Sequence, residues 1–448
     1  MNTDMTVGKP SSVLLKFSVP LFVSVAFQQF YSIADSMIAG NFIPNGEAAL
    51  AAISSSYPVT MLFIAVATGM NAGCSVICSN LFGSHNHARL KTAVSTSYIT
   101  IAAVSVLLAV FGLLFCSPIL TVLNTPAEVF EDSALYLNIY VLGLPFLFFY
   151  NVCNGVFAAL GDSRTPLWLL IGSSLGNIVL DLVSVICLNM GIAGVAWATF
   201  AAQGVSSIAS FIILNRRIAG FQTGRTQLFS WQMLGKISTV AIPSILHQSF
   251  VSVGNLFIQG IINSYGTSAM AGYSAAIKLN TFVVTSVSTM SGGMANFTAQ
   301  NIGAGKLDRV VSGFRTSLVM SACVCLPITA LYLLFGGQLV GMFMDSPDGN
   351  AVGIGYGFLL IVSPFYFAVT AKLNCDAVLK GAGAMIYFVI TTFTDLILRV
   401  VLAFIFSGPL GMGLDGVWWS WPIGWCTSAV LSVIFYFFGG WKKHAHAY

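Results

Sequence analysis

The sequence predicts an all-α integral membrane protein: twelve transmembrane helices in two six-helix lobes, related by an internal pseudo-two-fold repeat, with a central cavity. Three observations lead there. Only 7% of the 448 residues are charged, 57% are hydrophobic, and the mean hydropathy is +0.88. A soluble chain of this length could not cover its surface with so little charge. Second, apolar windows long enough to cross a hydrocarbon core of about 30 Å recur along the whole chain. Third, the chain says nearly the same thing twice. Gln28, Asp35, Gly40, Gly83, Arg89, Thr96 and Ser97 return 220 residues later as Gln248, Asn255, Gly260, Gly303, Arg309, Thr316 and Ser317. Paired halves of a membrane chain usually meet around a central pathway, so the repeat leans toward transport.

The spans fall at 14–43, 49–80, 92–115, 133–158, 166–187 and 191–214 in the first half, and at 236–263, 268–300, 312–335, 353–380, 384–407 and 413–440 in the second. Helices are the default because lipid offers no partner to open backbone groups. A barrel would alternate with period two, and no such alternation occurs. The longest windows are expected to tilt or to include interfacial turns.

Charge orients this map. Lys9, Lys16, Arg89, Lys91, Arg164, Arg216, Arg217, Arg225, Lys236, Lys306, Arg309, Arg315, Lys380, Lys442 and Lys443 all fall on one side. The opposite loops carry only acids, among them Glu47, Glu128, Glu131, Asp132, Asp345 and Asp348. The positive-inside rule then makes both termini cytoplasmic in a multi-pass cell (inner) membrane protein. A wrong helix count would scramble the segregation. The net charge of +4 thus reflects topology and does not suggest nucleic-acid binding.

The polar stretch near 215–235, with RRIAGFQTGRTQ, reads as a cytoplasmic linker. It divides an N-terminal lobe (1–215) from a C-terminal lobe (236–448), with 216–235 between them. Each lobe has an even number of spans, so the copies are parallel repeats about an axis along the membrane normal. The polar start MNTDMTVGKPSS lacks the pattern of a cleavable signal. The nine cysteines sit mostly inside apolar spans and read as small buried hydrophobes. Cys74 and Cys78, four apart, have no cluster beside them to complete a metal site.

A few ionisable groups remain inside spans: Lys278, Lys372, Arg399, Asp35, Asp181, Asp376 and Asp395. Each costs at least about 2.5–3.5 kcal/mol on insertion scales, so it needs protein or water around it and usually has a task. Asp395 and Arg399, four apart, are expected to pair on one helix face. Lys372, Asp376 and Lys380 form an i, i+4, i+8 row in which Asp376 can pair with either lysine. Lys278 has no acid within helical reach. It needs a partner from another helix, such as Asp376, or a path to water.

Asp35 and Asp181 differ, because no basic residue lies within a helical turn of either. Asn177, four before Asp181, projects from the same face. Two carboxylates and a carboxamide without a counter-charge suggest two states. Either desolvation holds a proton on one carboxyl, or a hard cation sits among the oxygens. Both describe a coupling-ion site. Thr199 on the sixth span adds a hydroxyl, and Val195, one turn earlier, offers a backbone carbonyl. Pro20, fifteen residues before Asp35, withholds a backbone donor and kinks the first span.

With these residues in view, the chain resembles the MATE (multidrug and toxic compound extrusion) transporters, over nearly its whole length. The family's cation site uses an Asp on the first helix, an Asn and an Asp four apart on the fifth, and a Thr on the sixth. The resemblance puts those roles on Asp35, Asn177, Asp181 and Thr199, with Val195 at the carbonyl position and Pro20 at the bending proline. The turns LFGSHNHARL and NIGAGKLDRV also resemble the family pattern. Some branches carry second-lobe acids on the seventh and tenth helices. Here the seventh offers His247, Gln248, Asn255 and Gln259, and the tenth has Asp376 flanked by lysines, so the first lobe is expected to do the coupling.

The resemblance implies a secondary antiporter. Na⁺ or H⁺ would enter while an organic, often cationic, drug-like compound leaves, by alternating access between two lobes. Na⁺ would sit at Asp35, Asn177, Asp181 and Thr199. No cofactor is implied, and a monomer is expected in the lipid bilayer. Gln28, Tyr31, Asn151, Asn154, Gln203, Gln248, Asn255, Lys278, Met290 and Asp376 are candidate cavity residues by helix position. The rival within the superfamily is a flippase for a lipid-linked precursor, whose pyrophosphate would want basic residues such as Lys278 and Lys372. Enzymatic motifs are absent: there is no HExxH, no paired catalytic aspartates and no Ser–His arrangement. Nothing reads as a channel selectivity filter.

Overall fold

A computed structural model of the chain describes residues 4–43, 46–123, 125–343 and 349–444. Asp345 and Asp348 lie outside the described residues, as do the side chains of Glu47 and Lys443. The described residues are helical with no strand. In order they are α1 (Pro10–Phe42), α2 (Gly46–Gly83), α3 (His87–Val122), α4 (Ala127–Leu142), α5 (Leu144–Ala159), α6 (Arg164–Leu182), α7 (Gly191–Ala219), α8 (Trp231–Asn263), α9 (Thr267–Gly303), α10 (Leu307–Gly341), α11 (Gly349–Val362), α12 (Tyr366–Gly381), α13 (Met385–Ser407), α14 (Gly413–Phe438) and α15 (Trp441–His444). Helices cover all twelve predicted spans in the two-lobe architecture; among the described residues eleven, counting α4 and α5 as one, are long and apolar enough to cross a membrane, and the more polar α9 is the twelfth. The longest helix, α2, runs 38 residues. At 1.5 Å per residue that is about 57 Å, well beyond a bilayer core, as tilt or projection requires.

Two spans are broken, at matching places. The fourth divides into α4 and α5, bent by 48°. Pro145, in the first turn of α5, cannot donate to the ladder, and Gly143 N–H bonds back to Tyr140 O at 3.0 Å instead. The tenth divides into α11 and α12 around a tight turn at Ser363–Phe365, which contains Pro364.

By contacts the chain forms two compact units: Val23–Gln248 in the first, and Met5–Phe22 together with the chain from Ser249 in the second. The sequence-drawn lobes therefore exchange their leading segments. Residues 5–22 belong with the second unit, and 236–248 with the first. Glycines explain the exchange. In the first unit the inner half of α8 lies on α2 at Gly73, where a Cβ would come 2.7 Å from Ile237 O and from Ala241 Cβ. In the second unit, 220 residues on, Gly293 of α9 receives Phe17 of α1, whose ring a Cβ would meet at 3.1 Å.

The segment ahead of each exchanged helix is strapped down too. Arg309 donates to the backbone oxygens of Met5 (3.1 Å) and Gly8 (2.7 Å), and Lys306 to that of Thr6 (3.0 Å). In the first unit Lys91 holds Phe221 O at 2.8 Å, Phe221 stacks on His87, and Ser230 N–H reaches Thr96 Oγ1 at 3.1 Å. Arg89, although it repeats Arg309 in sequence, is exposed.

Two left-handed glycines in each unit fix the later part of the repeat. Gly161 (φ +71°) and Gly191 (φ +56°) flank α6 in the first unit, as Gly383 (φ +73°) and Gly413 (φ +61°) flank α13 in the second. The offset there is 222 rather than 220.

Candidate functional site

The site forms in the first unit from α1, α4, α6 and α7. Asp181 is fully buried on α6, and Asn177, 2% exposed, lies one turn before it. With its amide oriented so that both ends find partners, Asn177 donates to Asp181 Oδ2 (3.0 Å) and to Tyr31 Oη (2.7 Å), and accepts from Thr199 N–H (3.1 Å). The Asp35 carboxyl lies near enough to Asp181 for each to feel the other's charge. One Oδ1 of each aspartate is buried without a protein partner. Neither aspartate has a Lys or Arg partner among the described residues.

Local backbone geometry sets these positions. Just past Asp181 the helix widens: Leu188 N–H reaches Val183 O, five residues back, at 3.0 Å. Asn189 (φ +51°) and Gly191 (φ +56°) then turn the chain into α7, which returns Thr199 to Asn177. Val195, one turn before Thr199, is buried among Ala39, Ile43, Ala49 and Val185. The arrangement thus brings together Tyr31, Asp35, Asn177, Asp181 and Thr199. It also adds Tyr136 of α4, which lies in the field of both aspartates. The sequence offered no handle on Tyr136, because one tyrosine in an apolar helix carries no sign of the face it presents.

Such a cluster can do one of two things chemically. Two carboxyls can hydrogen-bond to each other only if one holds a proton. Alternatively, with the Asn177 amide turned the other way, so that its oxygen accepts from Tyr31 Oη on the side of Asp181, that oxygen and the two orphan carboxylate oxygens form a hard-oxygen set for a monovalent cation.

The remaining candidates scatter. Gln28 is exposed, and Asn151 bonds its own helix at Leu147 O (2.9 Å). Asn154 keeps a buried, unpartnered Oδ1, and Gln203 is half-buried. Gln248 closes the first unit and Asn255 is exposed. Pro20 lies inside α1, two residues before Phe22, where the division between units falls. Met290 and Asp376, 5% and 3% exposed, offer almost no surface to a ligand.

Of the second-lobe charges, Asp376 and Lys278 each take one of the alternatives the sequence left open, and Asp395–Arg399 departs from expectation. Asp376 pairs with Lys372 at 2.9 Å, not with Lys380, and also accepts from Thr391 (3.0 Å) and Ser432 (2.8 Å). Lys278 does not reach Asp376; it is exposed, with its ammonium over the Phe343 ring. Asp395 and Arg399 do not form an ion pair. The Arg399 guanidinium has turned onto the Trp421 ring, 4.4 Å from its centre, and Asp395 packs against Gly424. A cation on an indole face has found an alternative to its helical neighbour.

The MatE family model matches residues 20–183 and 243–405, once in each half. The chain belongs to the MatE, or MATE, family. Its members are transporters rather than enzymes, and multidrug efflux is the family's theme. "Probable multidrug resistance protein YoeA" of Bacillus subtilis is 27% identical over 440 residues, covering 95% of this chain and 93% of that one. "FAD transporter" of Shewanella oneidensis is 26% identical, covering 90% and 89%. A solved structure described as the outward-facing conformation of a multidrug resistance MATE family transporter of the MOP superfamily aligns with a TM-score of 0.91, 22% identity and 99% of both chains. That last likeness concerns the fold alone. As a MATE chain this one is a multi-span, ion-coupled membrane transporter.

Proposed function

We propose that this protein is an antiporter that exports organic, often cationic, drug-like compounds in exchange for Na⁺ or H⁺, with the ion bound at Asp35, Asn177, Asp181 and Thr199. Both termini face the cytoplasm. The observation that carries the reading is the meeting of buried Asp181 with half-buried Asp35, each with a buried orphan oxygen and neither with a basic partner among the described residues. Leaving such charge uncompensated in a low-dielectric interior is expensive, so the site calls for a proton or a cation. Coupling follows if ion and cargo prefer different arrangements of the chain, since a ligand equally suited to both shifts nothing. α1 is suited to carry that preference. Its outer part brings Tyr31 and Asp35 to the first unit, its inner part belongs to the second, and Pro20 loosens the ladder between them.

The flippase reading is weaker. Lys372 is neutralised by Asp376, and Lys278 rests on an aromatic ring at an exposed position. Neither is a free cation awaiting a pyrophosphate.

The test is reconstitution in vesicles with Na⁺ and pH gradients imposed separately, following a fluorescent organic cation. FAD belongs in the cargo panel because one relative is named for it. Gradient-driven movement that Asp35→Asn slows at least about tenfold is expected, the size of losing one interaction worth about 1.4 kcal/mol. Movement indifferent to both gradients and to Asp35→Asn would sink the proposal.

A further inference from the structure

In the first unit the start of α3 is a seat for the chain between α7 and α8. His87, Lys91, Thr92, Ser95 and Thr96 share one face of α3 by spacing. Lys91 Nζ donates to Phe221 O at 2.8 Å, Gln227 N–H to Thr92 Oγ1 at 3.2 Å, Ser95 Oγ to Gln227 O at 3.3 Å, and Ser230 N–H to Thr96 Oγ1 at 3.1 Å. At the end of this ladder the His87 imidazole stacks on the Phe221 ring, with 4.5 Å between centres and 7° between planes, and Phe82 packs on the same ring. Trp231 opens α8 directly after Ser230, so the seat fixes where α8 begins. It lies outside the bilayer-crossing part of α3, on the side that the basic residues mark as cytoplasmic.

We propose that His87 is the pin of a pH-sensitive latch: it holds the linker, and with it the inner end of α8, while the cytoplasmic side is neutral, and releases both when that side acidifies.

Three features oppose a charge on this ring. His87 is the first residue of α3, at the positive end of the helix dipole. Lys91, one turn on, already brings an ammonium to Phe221, and the His85 ring lies 6.2 Å from that of His87. The Nδ1 of His87 is buried without a partner. In a charged imidazole both nitrogens carry hydrogen, so an N–H would be buried there without an acceptor. His85 and Lys91 are the titratable groups in its field, and no carboxylate is among them. Only the face of Phe221 favours the charge. Burial first, then His85 and Lys91, outweigh that face and hold the His87 pKa below the ordinary 6.5. The neutral ring is thus the seated one. Seating is at full strength above pH 6.5 and weakens below it, by up to about tenfold per pH unit, until the ring is charged in the seated and free forms alike.

The other copy shows a seat without a switch. At 220 residues on, His87 becomes Leu307 and His85 becomes Gly305. Positions 85 and 305 are both left-handed, at φ +55° and +71°. That conformation favours glycine, so the first unit keeps its histidine at a backbone cost. In the second unit Lys306 and Arg309 hold the Met5–Gly8 segment, and neither changes charge between pH 5 and 8.

The test is hydrogen exchange read by mass spectrometry on the protein in lipid vesicles, from pH 8 to 5, each rate divided by that of unstructured chain at the same pH. Protection of residues 221–230 is expected to fall about threefold or more between pH 7.5 and 5.5, while that of residues 5–8 holds. His87→Phe keeps a ring on Phe221 and cannot titrate, so its linker shows no such step. Should it fail to fold, His87→Leu, the residue of the other copy, takes its place and is also expected to show no step. A flat parent linker, an equal fall at residues 5–8, or a step that survives in the folded variant would overturn the latch. Release leaves α8 without a fixed start, so transport is expected to slow. Cargo counterflow at equal pH on both sides reads this as the ratio of parent to variant rates, in which titration at Asp35 and Asp181 cancels. The ratio is expected to drop about twofold or more from pH 7.5 to 5.5, and a constant ratio would overturn the hold on α8. Exchange needs no cargo, so it judges the latch even where the antiport reading fails.

Discussion

Asp162, in the turn between α5 and α6, is the clearest single-residue contributor to stability. It is 3% exposed, and one carboxylate oxygen caps the start of α6 by accepting from the backbone N–H groups of Arg164 and Thr165 at 3.0 Å. The other accepts from Thr165 Oγ1 and from Arg217. Burial alone would raise the carboxyl's pKa, but the Thr165 and Arg217 interactions outweigh it and hold the value below the ordinary 3.8. A depressed folded pKa adds stability above the unfolded value, which is lost as pH falls through the folded one. Melting temperature is therefore expected to be insensitive to this group at neutral pH and to drop below about pH 4. Asp162→Asn should remove that acid step and destabilise the protein at pH 7. Breaking a buried pair costs about 3–5 kcal/mol, and Arg217's side chain is 23% exposed, so the loss belongs at or below the lower end. An acid melting profile of the variant that matches the parent would refute the assignment. Other residues were legible to different degrees. Asp35, Asn177, Asp181 and Thr199 could be read because ionisable groups are rare in apolar spans and helical spacing puts Asn177 and Asp181 on one face. The Asp395–Arg399 pair was misread because spacing says which neighbours are possible. It does not say that an indole from α14 competes for the guanidinium.

Among the elements, the exchanged halves of α1 and α8 depend on glycines and straps. Gly73→Ala puts a methyl 2.7 Å from backbone Ile237 O, which cannot turn aside as a side-chain tip can. Overpacking of this kind costs about 1–3 kcal/mol, visible as a lower melting temperature. Gly235→Ala in the same α8 meets nothing within 4 Å. It is expected to be neutral or slightly stabilising, by removing backbone freedom from the unfolded chain. Equal effects at the two sites would show that the crossing is not the cause. All twelve spans were readable, because hydropathy and charge segregation report on lipid directly. The breaks at Pro145 and Pro364 were not, since the apolar windows run unbroken across both prolines. Nor was the exchange: a linker read as polar sequence says nothing of which unit its neighbours pack on, and that is decided by the fit of Phe17 and Ile237 to distant glycines.

At the scale of the whole molecule, duplication supplied the scaffold and divergence the chemistry. Conserved offsets at Gly73/Gly293 and at the left-handed glycines keep the helices in corresponding places. The residues between them differ in charge. This predicts the outcome of an obvious repair, Asn255→Asp, which makes the second half resemble the first at its best-matched polar position. An aspartate there would be exposed, as Asn255 is, and so need not recruit an ion to remain charged. Its neighbours by the repeat would be Arg399, Ala403 and Trp421 in place of Asn177, Asp181 and Thr199, so it would lack the second carboxylate and the small oxygen donors of a cation cage. The number of ions moved per cargo molecule, measured from the gradient that just halts net flux, should therefore equal the parent's. A rise by one ion would mean that a single carboxylate suffices and that the second unit lacks nothing else. An unchanged ratio would place the asymmetry in the cluster as a whole, built from α6 and α7 on one side and α13 and α14 on the other.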